Sequence, residues 1–226
     1  MNILAVETST ELCSVALLRG EELFVEEAIA ENRHSELLLP MIRRVLARAG
    51  AKAAGMDAFA FGQGPGSFTG IRIACGIAQG LAFGAAKPVV PVPSLLALAA
   101  QAGTARVVAA LDARMGEAYL AAYERRGAGW ECAIAPSLVD RSALPPLPPG
   151  EWTAIGSGFD RHAWLREAYA GRLGMHVEGE LPRAGAVARL AALDAAEGRA
   201  VNAERAAPLY LRDKVALTTQ ERQARP

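Results

Sequence analysis

Cysteine is scarce in this chain of 226 residues: Cys13, Cys75 and Cys132 stand far apart, odd in number and without a C-x-x-C pair. That spacing excludes a disulfide framework and a thiolate zinc site, and leaves buried thiols of a reducing compartment as the expectation. Excess charge of one sign is also missing. Lys plus Arg and Asp plus Glu each number 24, so the chain does not by itself present the basic surface that grips nucleic acid through phosphates. A subunit of an assembly that modifies nucleic acid stays open. The only histidines are His34, His162 and His176, and none falls in H-x-x-x-H, H-E-x-x-H or a Cys/His cluster. The zinc-hydrolase pattern is therefore absent. His34 reads as a solvent-facing or capping residue, and His162 and His176 as surface positions. No apolar run reaches the roughly 18 residues of a membrane span. The nearest, "VVPVPSLLALAA", is broken by Pro91, Pro93 and Ser94. The opening "MNILAVETST" has no basic segment and meets Glu7 early, unlike a signal peptide. The expectation is a cytoplasmic protein with no membrane partner.

What is present is an ordinary globular mixture, 52% hydrophobic and 21% charged, long enough for one large domain or two lobes. Asn2 to Glu7, "LCSVALL" and "ELFVEEA" read as three strands separated by turns. The apolar period then changes to about 3.6. Leu37, Leu38, Met41, Ile42, Val45, Leu46 and Ala49 form one helical stripe, closed by Gly50. "MDAFAF" is a fourth strand, a glycine-rich stretch opens a second helix, "KPVVPV" is a fifth strand, and Ser94 is placed to cap a third helix running to about Ala102. The order then repeats. "RVVAALDA", "GEAYLAAY" and "WECAIA" read as strands, "SLVDRSA" as a helix candidate and "LPPLPPG" as a loop. "WTAIG" and "MHVEG" read as strands, each followed by a helix. The fold class is α/β, a two-lobed actin-like (ribonuclease H-like) duplication with each half β-β-β-α-β-α-β-α. The lobes are expected at 1–103 and 104–207, with 208–226 as a C-terminal segment and mobile tail.

The stretch "GQGPGSFTGIRIACGIAQGLAFG", Gly62 to Gly84, admits several chemistries. A strand, a glycine-rich turn and a helix N-terminus together can bind an anion. Yet the stretch lacks the lysine of a P-loop, is not G-x-G-x-x-G, and fails G-x-S-x-G because Pro65 stands two before Ser67. Ser67 or Thr69 is placed to cap the helix. Gly76, Gly80 and Gly84 share one face of it, at about 1 kcal/mol each relative to alanine. The remaining surface is nearly all apolar, with Arg72 and Gln79 the clear exceptions. Such a helix is covered on more than one side. Either it is sandwiched in the chain's own core, or it packs on its own sheet by one face and on another subunit by the other.

Two carboxylates stand at equivalent strand ends. Glu7 ends the first strand and Asp112 the first strand of the second half. Across a cleft they would make a pair for a weak ATPase or acyl transfer. Turn capping explains both without catalysis, since "ETST" and "DARMG" are good turns.

Three passages, "LAVETSTELCSVAL", "GPGSFTGIRIACGIAQGLA" and "LDARMGEAYLAAY", resemble the TsaB family, also called YeaZ, and "PLYLRDKV" resembles its C-terminal segment. The resemblance spans most of the chain, and G-P-G-S-F-T-G followed by R-I is specific to it. It implies the actin-like ATPase superfamily and a role beside TsaD, TsaE and a threonylcarbamoyl-AMP synthase in making threonylcarbamoyladenosine next to the tRNA anticodon. The implied role is a non-catalytic scaffold that binds and activates TsaD, meets TsaE through that pair, forms a homodimer in isolation, and touches tRNA only indirectly. ATP and a metal are implied for TsaD and no cofactor for this chain alone. Ser94 and Leu98 stand where TsaD carries its metal-binding histidines, and neither suits a transition metal. The metallopeptidase reading once attached to the family loses its ligands here. Glu7, Thr8 and Ser9 replace the phosphate loop of the superfamily without its glycine. Gly156, in "IGSGF", resembles an adenosine loop. With Asp112 these form a degenerate nucleotide cleft. Family members associate through helices of the first lobe. That places the partner surface on Leu37, Leu38, Met41, Ile42, Val45, Ile71, Cys75, Gly76, Gly80 and Phe83. Ile42→Glu or Gly80→Leu is then expected to weaken association without unfolding the chain.

Overall fold

Strand β1 (Asn2–Glu7) shows no alternation because both of its faces are covered: Ile3, Leu4, Ala5 and Val6 are all buried. It is the centre of a five-stranded sheet with β2 (Leu12–Arg19), β3 (Glu22–Ile29), β4 (Ala58–Gly62) and β5 (Val89–Val92), in the order β3-β2-β1-β4-β5. β1 runs antiparallel to β2, with Glu7 opposite Ser14, and parallel to β4, with Val6 opposite Phe61. The second sheet repeats this plan with β6 (Arg106–Arg114), β7 (Glu117–Arg126), β8 (Gly129–Val139), β9 (Trp152–Ile155) and β10 (Leu173–Val177), in the order β10-β9-β6-β7-β8. This computed structural model describes residues 1–212. Its two mixed sheets with helices make the two-lobed actin-like α/β fold.

Helices cover both faces of the first sheet. The outer face of the first sheet carries Leu4, Val6, Phe59 and Phe61. On it lie α1 (His34–Arg48) and α2 (Phe68–Ala85), through Leu38, Met41, Ile42 and Val45 of α1 and Ala74 and Ala78 of α2. The inner face alternates Ala5, Ala16, Ala58 and Ala60 with Ile3, Leu18, Val90 and Val92, and it is covered by the alanine-rich helix α6 (Ala184–Ala196). In return, α3 (Ser94–Ala99) leaves its own sheet and packs Leu95, Leu98 and Ala99 on Val107, Ala109 and Ile155 of the second. Each half thus lends its third helix to the other. The chain passes from the first sheet to the second between Val92 and Arg106, and 104–207 is not a self-contained unit, because α6 completes the first lobe's core.

The halves differ elsewhere. No helix separates β8 from β9 among the described residues, so "SLVDRSA" is not helical. Its first residues extend β8, with Leu138 opposite Tyr119 and Val139 opposite Ala118. Asp140 then closes a turn, accepting the N–H groups of Ser142 and Ala143. The single helix expected after β9 is two short ones, α4 (Ser157–Arg161) and α5 (Ala163–Tyr169), broken where His162 adopts an extended backbone. The β6–β7 hairpin matches expectation: Met115 and Gly116 turn it with φ of 56° and 81°, the geometry of a type I′ loop.

Candidate functional site

The partner surface expected from periodicity is largely interior. Leu38, Met41, Ile42 and Val45 of α1, with Ile71 and Cys75 of α2, are buried in this chain, and Leu37 is half-buried against the same core. Amphipathic spacing marks the face that avoids water, and here that face meets the first sheet. Of the ten residues, only Gly76, Gly80 and Phe83 are exposed, Phe83 at 75%. They lie on the outward face of α2 with Gly84 and the half-buried Ile73 and Ile77. Leu39 of α1 is exposed as well. A Cβ added at Gly76, Gly80 or Gly84 would meet nothing within 4 Å. Nothing in the described chain therefore explains why glycine stands there. α2 is also the one described helix long and apolar enough to cross a membrane by length and composition, which corrects the expectation that "VVPVPSLLALAA" comes nearest to such a run. Its Ala74, Ala78 and Ala82 are fixed in the first core.

The glycines before α2 have a visible cause. A Cβ on Gly62 would collide with the Glu7 carboxylate, one on Gly66 with the carbonyl of Ser9, and one on Gly70 with the carbonyl of Thr8. The turn after β1 lies directly on the glycine-rich loop and is tied to it. Thr8 Oγ1 donates to Gly70 O at 2.7 Å, and Ser67 N–H donates to Ser9 O at 2.7 Å. Ser67 caps α2, accepting Gly70 N–H at 3.3 Å. Glu7 sits beneath with no exposure. Its Oε1 accepts Ser9 N–H at 2.6 Å and its Oε2 accepts the Ser94 hydroxyl at 2.8 Å. Ser94 Oγ in turn accepts Gly64 N–H at 3.2 Å. Ser94 is therefore no helix cap. It is the first residue of α3 and a buried link between Glu7 and the loop. Burial pushes the Glu7 carboxyl above the usual carboxylate range, against the opposing pull of the hydrogen bonds from Ser9, Ser94 and Thr8.

A cleft of about 1010 Å³ opens between the lobes. Ser9 and Asp112 line it, but Glu7, Thr8 and Gly156 do not. The first two are wholly buried, and Gly156 packs so closely on Ala110 O and Leu98 that a Cβ would collide with both. The paired carboxylates expected across the cleft are thus not paired. Asp112 instead meets its own lobe: Oδ1 lies 3.0 Å from His162 Nε2 and Oδ2 lies 3.3 Å from Arg161. His162 is accordingly not a free surface residue, and neither are the others. His34 is buried with Nε2 2.9 Å from Thr10 O, and His176 stands 3.0 Å from Asp160.

The residues just before the C-terminal end of the described chain also close on the cleft. Leu209 N–H donates to Gln63 O at 2.7 Å, and the Tyr210 hydroxyl accepts Arg72 Nε at 2.8 Å. The Arg72 guanidinium stands 3.4 Å over the Phe68 ring, and Arg212 reaches Ala113 O and Glu117 in the second lobe. The expected tail beyond 212 lies outside the described residues. The 208–212 contacts, like His162 on Asp112, span sequence separations that no local pattern signals.

Nucleophilic chemistry finds little here. Burial, helped by Glu26 and Glu7, pushes the Cys13 thiol up to about 11, and burial raises Cys75 as well. Cys132 is exposed, contrary to the expectation of three buried thiols. Among the described residues no group of three or more His, Cys, Asp or Glu could hold a metal ion.

The family model described as TsaD, tRNA N6-adenosine threonylcarbamoyltransferase, matches residues 25–154. The chain is 40% identical over 228 residues to an Escherichia coli (strain K12) protein named tRNA threonylcarbamoyladenosine biosynthesis protein TsaB, covering 96% of each. It is 37% identical to the Haemophilus influenzae protein of the same name, covering 95% of each. A crystal structure from Pseudomonas aeruginosa, described as an uncharacterized protein with similarity to peptidase YeaZ, superposes with a TM-score of 0.84 at 36% identity. It covers 93% of this chain and 99% of that one.

Proposed function

The chain belongs to the TsaB family, also called YeaZ, and from that premise we propose that it serves tRNA threonylcarbamoyladenosine biosynthesis as a non-catalytic subunit that binds and activates TsaD. The observation that carries the proposal is the outward face of α2. Three glycines in one helix cost roughly 3 kcal/mol relative to alanine. That cost is offset when a second helix approaches closely enough to need the missing side chains. Exposed Phe83, beside half-buried Ile73 and Ile77, supplies apolar surface for such a contact. A second copy of this chain could use the same face, so homodimer and heterodimer would compete for it. TsaE would meet the pair, tRNA would be reached only through the assembly, and ATP and a metal would belong to TsaD. The proposed compartment is the cytoplasm.

Sedimentation velocity on the chain, on TsaD and on their mixture tests this directly. A 1:1 complex formed at the expense of homodimer is expected, and it should be lost with Gly80→Leu or Phe83→Glu. Phe83→Glu should melt close to the parent, and Gly80→Leu at or above it, because leucine is the better helix former. A mixture that sediments as the sum of its parts at tens of micromolar would overturn the proposal, as would normal complex formation by both variants.

A second reading, a weak ATPase or acyl-transfer enzyme, has one observation in its favour: the cleft between the lobes, with Asp112 on its wall. Glu7 takes no part in it, being enclosed, and the first-lobe carboxylates on its wall are Glu11 and Glu31. Calorimetric titration of the lone chain with ATP, repeated on Asp112→Ala, separates the two. Saturable binding lost in the variant would favour the enzyme. A peptidase reading has neither an activated nucleophile nor a metal-ligand cluster among the described residues to support it.

A further inference from the structure

A second cavity lies away from both the outward face of α2 and the cleft between the lobes. It is a groove of about 490 Å³, within the range of sites that take small organic molecules. Four elements build it: β3, α6, the residues just after α3, and the β7–β8 hairpin. β7 reaches the nucleotide-type cleft at Tyr119 and the groove at Arg125. Six residues of strand separate these points, about 20 Å.

The floor is apolar. Leu23 and Val25 of β3, Trp130 of the hairpin, and Leu190 and Leu193 of α6 supply it. The rim is cationic, with Arg125, Arg183 and Arg189 against a single carboxylate, Glu27. Arg183 is spent on Glu27 and on Glu180, which it approaches at 3.5 Å. Arg125 and Arg189 have no ion-pair partner among the described residues and are exposed. The first turn of α6, at Gly185 and Ala186, forms part of the wall, so the positive end of that helix adds to the same field. Gln101 ties the wall to the segment before α6, donating its amide N–H to Leu181 O at 2.9 Å.

We propose that this groove is a binding site for an organic monoanion with an apolar body, of the size and chemistry of an arylalkyl carboxylate. The apolar body would lie on Leu23, Trp130 and Leu190. The carboxylate would meet Arg125 and Arg189. The site draws on both sheets and neither requires nor excludes TsaD.

Isothermal titration of the full chain with indole-3-propionate tests this. Saturable 1:1 binding is expected, with a dissociation constant of about 1 mM or below. The double variant Arg125→Glu/Arg189→Glu should weaken it at least tenfold while keeping the parent melting temperature, because both guanidinium groups are exposed. Tryptamine, of the same shape and opposite charge, should not bind. Absence of saturable binding by indole-3-propionate would overturn the proposal. So would unchanged affinity in the double variant, equal binding of tryptamine, or loss of binding in Arg114→Glu, which would move the ligand to the other cleft.

Discussion

β1 and β6 hold the same central place in their sheets, and each carries a carboxylate at or near its C-terminal end, yet Glu7 and Asp112 have opposite fates. Glu7 has no exposure and is held by Ser9 and Ser94. Asp112 keeps 17% of its side chain exposed and turns to His162 and Arg161. The difference comes from the segment that leaves each strand. After β1 the chain lies on a loop of glycines that lets backbone approach backbone. After β6 a two-residue hairpin carries the chain away and leaves the strand end on the cleft. Equivalent topology therefore does not assign equivalent chemistry, because the packing of the next loop decides whether a charged group sees water. The lobes diverge in the same way at their helices. The first lobe carries two long outer helices, and the second covers its outer face with two short ones and a proline-rich loop.

The first lobe should break most severely where its outer helices are anchored. Ile42→Glu places a charge at a site 2% exposed and should cost more than about 4 kcal/mol, so it would not spare the fold as its place on a partner surface implied. Chemical denaturation should find it unfolded or nearly so, while Phe83→Glu, on the neighbouring helix, should stay within about 0.5 kcal/mol of the parent. Equal melting of the two would break the distinction between the faces.

The glycines sharpen the comparison. Gly70→Ala should destabilise by about 1–3 kcal/mol or more, since backbone must shift. Gly80→Ala meets open space and should stabilise the isolated chain by about 1 kcal/mol through helix propensity. Opposite signs in paired denaturation curves are the expected result.

Glu7→Gln should alter a pH dependence. The folded carboxyl binds its proton more tightly than the unfolded one, so its contribution is fully present below the ordinary carboxylate value and is lost as pH rises through the raised one. The stability of Glu7→Gln relative to the parent should therefore rise with pH. A flat difference between about pH 4 and pH 8 would show that ionisation there carries no penalty. The smallest effect belongs to the second lobe: Asp112→Asn removes a partly exposed pair and should cost at most about 1 kcal/mol.

Much of the architecture was legible. The apolar runs of β1 and β4, the stripe on α1 closed by Gly50, and the Met115–Gly116 turn all carry local signals that tertiary contacts did not overrule. Elsewhere the local signal was insufficient. "SLVDRSA" has no strong propensity of its own, and its first half became strand because β7 offered it a ladder to pair with. Ser94 looks like a cap in sequence, yet its hydroxyl is used by Glu7, 87 positions away. The stripe Leu38, Met41, Ile42 and Val45 is a buried face, as its spacing indicates, but its cover is the chain's own sheet and not a partner. Hydrophobic spacing reports that a face avoids water and is silent about whether the cover belongs to the same chain.

The amino-acid sequence by itself determined the order of the strands, the helices of the first half and the glycine-rich signature, because these rest on spacing and backbone preference within a few residues. Only the tertiary structure decided that Glu7 is sealed and Asp112 is not, that α3 and α6 exchange sheets, and that the outward face of α2 is lined with glycines nothing in the described chain needs. Each of these depends on which distant segment arrives to cover a surface, and that is settled by packing volume and desolvation across the whole fold rather than by any residue's neighbours.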